Sequence, residues 1–108
     1  MDESKPEEIY LSVNDIEICC FRWGDTVGRT LLLVHATGFH ARCWDQVIAH
    51  LPSDWNIVSV DMRGHGRSEK KGPYKWAQFG SDLSEVTSQL GIKKAIGVGH
   101  SMGGYCVT

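Results

Sequence analysis

Three short apolar runs constrain the fold of this chain more than anything else in it. They are Leu31-Leu32-Leu33-Val34, Asn56-Ile57-Val58-Ser59-Val60 and Ala95-Ile96-Gly97-Val98. A brief apolar run bounded by turn residues is the pattern of a strand covered on both faces, as in a parallel sheet. The stretches between them carry helical spacing. Trp44, Val47, Ile48 and Leu51 fall at i, i+3, i+4 and i+7 and stop before Pro52. Trp76, Phe79, Leu83, Val86 and Leu90 keep such a stripe over four turns, and Gly91 stands where a left-handed residue would close the helix. Upstream, Ile9 to Val13 alternates in polarity, Asn14-Asp15 suits a tight turn, and Ile16 to Trp23 reads as a second strand. Residues 24–29 are turn material. The order predicts an α/β fold: a β-hairpin, then a mostly parallel sheet flanked by helices, with right-handed crossovers.

Length and charge narrow the class. A chain of 108 residues holds one domain at most. Residues 1–8 read as a disordered acidic lead, and 9–108 as the domain. With 42% hydrophobic and 22% charged residues, the composition is ordinary for a globular protein. A net charge of −2 gives no general attraction to nucleic acid or anionic membrane. The densest basic group, Arg63, Arg67, Lys70 and Lys71, reads as a solvated loop. The N-terminus lacks the pattern of a secretory signal, and the longest apolar run, residues 31–34, is far too short to span a bilayer. The four cysteines, Cys19, Cys20, Cys43 and Cys106, form no CxxC pair and lack zinc spacing with the histidines. They read as reduced core thiols of a cytoplasmic protein, and no metal is expected.

The chemistry concentrates at Gly99-His100-Ser101-Met102-Gly103-Gly104, between the third apolar run and a new helix. A serine between two glycines in that setting fits a sharp strand-to-helix bend. Side chains at Gly99 and Gly103 would collide with the turn or the neighbouring strand. Ser101 itself is expected to be strained, with its hydroxyl held out above the carboxyl edge of the sheet. The helix that follows turns its free N–H groups toward the same place. His100 reads as a packing or hydrogen-bonding residue, since a side chain next to the serine cannot easily reach around to its hydroxyl.

A second segment, His35-Ala36-Thr37-Gly38, follows the first apolar run. A loop there can set a backbone amide beside the serine. Thr37 is the candidate donor, paired with the amide of Met102, in an oxyanion hole where a single donor is worth about 3–4 kcal/mol of barrier. Phe39, beside that loop, is a candidate substrate contact. Tyr74 is another aromatic that could line a pocket, whereas Trp76 reads as core. A third segment, Asp61-Met62-Arg63-Gly64-His65-Gly66-Arg67-Ser68, has glycines for tight bends and charges that can pin the loop beneath the site.

Together these three segments resemble the α/β-hydrolase superfamily, in its serine-nucleophile branch of esterases, lactonases and C–C hydrolases. The resemblance runs from residue 9 to residue 108 and departs from the usual His-Gly pair at Ala36. It implies the order nucleophile, acid, histidine. All five histidines, His35, His40, His50, His65 and His100, precede Ser101, and Met102 to Thr108 contains neither an acid nor a histidine. The chain is therefore expected to be an N-terminal fragment, inactive alone, with residues 95–98 left as an apolar sheet edge and the isolated material insoluble or molten.

The expected activity is a serine hydrolase acting on an ester, thioester, lactone or C–C bond of a small acyl substrate, through an acyl-enzyme and without a cofactor. Haloalkane dehalogenases and epoxide hydrolases of the superfamily use aspartate, against which Ser101 argues. The alternatives are a non-catalytic ligand-binding member and an acyltransferase or perhydrolase using the same serine.

Overall fold

The computed structural model describes residues 6–24 and 28–108. Its first two strands, β1 (Glu7–Val13) and β2 (Ile16–Gly24), form an antiparallel hairpin with Val13 opposite Ile16. The two residues between them, Asn14 and Asp15, both have positive φ, 46° and 69°. A type I′ hairpin turn needs that combination, and Asn and Asp tolerate it better than other side chains. β1 starts earlier than the expected lead allows. Glu7 and Glu8 pair with Arg22 and Phe21, and Glu8 also accepts from Tyr10 and Arg67. These contacts order two residues that composition alone assigned to the lead. Residues 1–5 of that lead, and the centre of the turn expected over 24–29, lie outside the described residues.

The chain continues through β3 (Thr30–Val34), a 3₁₀ turn (Ala41–Trp44), α1 (Asp45–Ile48), β4 (Asn56–Val60), α2 (Trp76–Gln89), β5 (Ile96–Gly99) and α3 (Met102–Val107). The strands form one sheet in the order β1-β2-β4-β3-β5. β3 lies parallel to both β4 and β5, and β2 joins β4 antiparallel. Side chains leave the central strands alternately toward two cores. Ile18, Cys20, Leu32, Val34, Val58 and Val60 face α2 and α3. Cys19, Phe21, Leu31, Leu33 and Ile57 face the layer containing Ala41 and Ile48. Covering on both faces is the physical reason these strands read as apolar runs. α2 ends as its sequence predicts: Gly91 has φ 70°, its amide donates to Ser88, and the Ile92 amide donates to Thr87. That pair of bonds is a Schellman closure.

Three expectations are corrected. The helix over 44–51 is a 3₁₀ turn and a four-residue α1. Its end tightens through i→i+3 bonds from His50 to Val47 and from Leu51 to Ile48, and Val47 of the expected stripe is exposed. Trp76 is 46% exposed and rests against Tyr105 of α3. The stripe reaches the core only at Phe79, one turn later. β5 is covered on one face only. Gly97 abuts Val107, but Ile96 and Val98, in register with Leu31 and Leu33, are 52% and 39% exposed. The 3₁₀ layer packs on β3 and β4 and does not reach this edge.

Candidate active site

The carboxyl ends of β3 and β5 lie side by side, and their chains leave toward opposite faces of the sheet. β3 leads to the 3₁₀ turn on one face, and β5 leads to α3 on the other. A crevice at such a divergence is where open α/β sheets place ligands. The bend between β5 and α3 occupies it. Ser101 has φ 56° and ψ −112°, a conformation that L-residues other than glycine rarely adopt. Its neighbours make the bend possible by lacking side chains. A Cβ on Gly99 would lie 2.2 Å from the Gly103 carbonyl, and one on Gly103 would lie 2.1 Å from the Val34 oxygen. The His100 amide donates to that same Val34 oxygen at 3.1 Å, tying the bend to the last residue of β3. Ser101 is exposed, while Met102 directly after it is buried.

The loop after β3 turns through a 3.1 Å bond from the Phe39 amide to the Ala36 carbonyl. Positive φ occurs at Gly38 (88°) and not at Ala36, so an alanine in place of the usual glycine at 36 meets no backbone conflict. Thr37 is exposed between them. Among the described residues, neither the Thr37 nor the Met102 amide donates to another group.

The 61–68 segment supports this loop from below. Buried Asp61 accepts the Ala41 amide at 2.7 Å and the Arg67 amide at 2.9 Å, and its carboxylate fills the space a Cβ on Gly66 would need. Arg63 is buried, which corrects the solvated reading for this member of the basic group. Its guanidinium pairs with Asp82 of α2 at 2.8 Å and donates to the carbonyls of Lys71, Gly72 and Asn14. Burial is tolerable because every donor direction is used. Arg67, Lys70 and Lys71 are exposed, as expected. Asp82 did carry a signal in the sequence: it is an acid on the apolar stripe of α2, between Phe79 and Val86.

A cleft of about 270 Å³ opens beside the bend, lined by His35, Ala36, Phe39, Cys43, Trp44, Val47 and His100. Phe39 and His100 face each other across 6.1 Å. Tyr74 lies elsewhere, covering Gly64. Cys43 is exposed, which corrects its assignment as a core thiol: the buried residue of the 3₁₀ turn is Ala41, and Cys43 lines the cleft. Burial pushes Cys19 and Cys20 up to about 12 and Cys106 to about 11, so these thiols stay protonated. It also holds the His35 imidazole below its ordinary 6.5. Both ring nitrogens of His35 and of His65 are engaged by backbone groups. No histidine among the described residues hydrogen-bonds the Ser101 hydroxyl.

A parallel-centred sheet with a strained serine at its switch point defines an α/β protein of the hydrolase type. Residues 31–108 match the model of the Alpha/beta hydrolase family, and the chain belongs to that family. It is similar to 3-oxoadipate enol-lactonase 2 of Acinetobacter baylyi, with 30% identity over 87% of this chain and 36% of that protein. It is 31% identical to fluoroacetate dehalogenase of a Burkholderia species over 91% of this chain and 34% of the relative. The crystal structure of the enol-lactonase from Burkholderia xenovorans superposes with a TM-score of 0.83 at 31% identity, covering 91% of this chain and 39% of that one. The chain thus spans a quarter to just over a third of the curated relatives it matches.

Proposed function

We propose that Ser101 is the nucleophile of a hydrolase that opens an ester, thioester, lactone or C–C bond next to a carbonyl group. The observation that carries this reading is the φ of 56° at Ser101, which a serine without a chemical task would have no reason to hold. The Ser101 oxygen forms a bond to the carbonyl carbon, and its proton passes to a base. The Thr37 and Met102 amides receive the developing oxyanion, and Phe39 contacts the acyl portion. Collapse expels the leaving group with that proton, and water then releases the acid from the acyl-enzyme. The chain is as similar to a dehalogenase as to the enol-lactonases, so it is the serine at 101, in place of an aspartate, that favours carbonyl substrates over an alkyl halide.

The base and its supporting acid come, on this proposal, from chain beyond these 108 residues, so the 108 residues alone do not turn over. Unpaired Cys19, Cys20, Cys43 and Cys106 suit a reducing cytoplasm. The test is a fluorophosphonate probe applied to the full-length protein, to the 108-residue chain and to Ser101→Ala. Rapid labelling of the first alone supports the proposal. A full-length protein that folds and does not label is instead a ligand-binding member of the family.

A further inference from the structure

We propose that His65 is a positioning residue for the oxyanion amide, acting through a reciprocal clasp with His35. The inference rests on the proposed nucleophilic role of Ser101 and adds a determinant of that site. His35, at the end of β3, places Nδ1 2.7 Å from the Ala36 carbonyl and Nε2 3.0 Å from the Met62 amide. His65, in the loop after β4, places Nδ1 2.8 Å from the Arg63 carbonyl and Nε2 3.0 Å from the Gly38 amide. A carbonyl only accepts and an amide N–H only donates, so both rings carry their proton on Nδ1 and accept at Nε2. Each histidine therefore grips a backbone amide of the other's loop, and the rings lie 4.9 Å apart.

The consequence for the site follows from the peptide plane. The Gly38 N–H belongs to the same rigid peptide as the Thr37 carbonyl. Fixing that N–H fixes the peptide that follows Thr37. The Thr37 amide lies in the preceding peptide, whose Ala36 carbonyl accepts from the Phe39 amide and the His35 ring. The two histidines thus hold the peptides on both sides of Thr37 and leave its φ and ψ little room to turn the amide away. The grip is anchored at its other end: the Arg63 residue whose carbonyl holds His65 is itself locked to Asp82, and Phe79 of α2 packs edge-on against the His65 ring. The path runs from α2 through Arg63 and His65 to Gly38 without a gap.

The test compares His65→Gln with His65→Phe in the full-length protein. Glutamine keeps a carbonyl that can accept the Gly38 amide, and phenylalanine keeps the ring packing without an acceptor. Hydrogen exchange at the Gly38 amide is read by NMR, and kcat and KM are read with p-nitrophenyl acetate. His65→Phe should speed Gly38 exchange and lower kcat by about tenfold to a hundredfold with KM within about twofold, and His65→Gln should recover most of both. Wild-type exchange and kcat in His65→Phe would overturn the inference. So would equal losses in both variants that merely follow the melting temperature. If His65→Phe fails to fold, His65→Asn, whose amide is too short to reach, takes its place. A wild type that neither turns over nor labels sinks the nucleophile reading alone, because Gly38 exchange decides the clasp without catalysis.

Discussion

The two loops that meet above β3 and β5 are held in place by opposite means. The bend at Ser101 is fixed by what is missing: at Gly99 and Gly103 the backbone of a neighbouring segment occupies the space a Cβ would take. The loop at Thr37 is fixed by what is present: His65 takes the Gly38 amide, Asp61 takes the Ala41 amide, and His35 reaches down to Met62. Gly38 itself faces open space, so its glycine answers only to φ. Steric fixation tolerates no substitution, whereas polar fixation tolerates any residue that restores the bond. Placing one loop of each kind against the other sets a serine held by close packing against an amide held by hydrogen bonds.

Substitutions can break this contrast in graded steps. Gly103→Ala carries the largest expected effect, because its methyl would press on the Val34 carbonyl: a loss of about 5 kcal/mol or failure to fold. Urea melts of the full-length protein read this, and a loss under about 2 kcal/mol would show that the bend yields more than its geometry suggests. Asp82→Ala comes next. It strands a buried guanidinium and should cost about 3 kcal/mol, and a neutral outcome would mean water reaches Arg63. Gly38→Ala meets no atom and should cost only about 1 kcal/mol of backbone strain. If it matches Gly103→Ala, the two loops do not differ in kind.

The smallest effect is expected from acid. Burial holds His35 below its ordinary 6.5, so the folded state disfavours the imidazolium. The stability this histidine contributes is complete above that ordinary value and is lost as pH falls below it toward the lowered folded value. Melting temperatures followed from pH 7.5 downward should therefore fall more steeply in the wild type than in His35→Gln. Parallel curves would show that His35 carries none of the acid sensitivity.

Much of the scaffold was legible because local rules and tertiary packing agree. The I′ turn at Asn14-Asp15, the apolar runs of β3 and β4, the glycine closure of α2 and the serine bend all announce themselves in a few consecutive residues. The errors fall where a distant partner decides. Arg63 reads as a surface charge until Asp82, on a separate helix, is brought beneath it. His65 carries no local sign of its partner, because Gly38 comes within 3.0 Å of it only in the folded chain. Trp76 has the spacing and Cys43 the chemistry of a core residue, yet both are exposed. Periodicity reports which residues share a face and is silent about where that face stops being covered.

Trapping the covalent intermediate tests the nucleophilic role of Ser101 most directly. The full-length protein is mixed with p-nitrophenyl acetate, quenched in acid within the first turnover, digested and weighed peptide by peptide. An acetyl group on the peptide containing Ser101, absent from Ser101→Ala, is the predicted result. Turnover that leaves every serine unmodified, or an acetyl group on another residue whose removal abolishes activity, would contradict it.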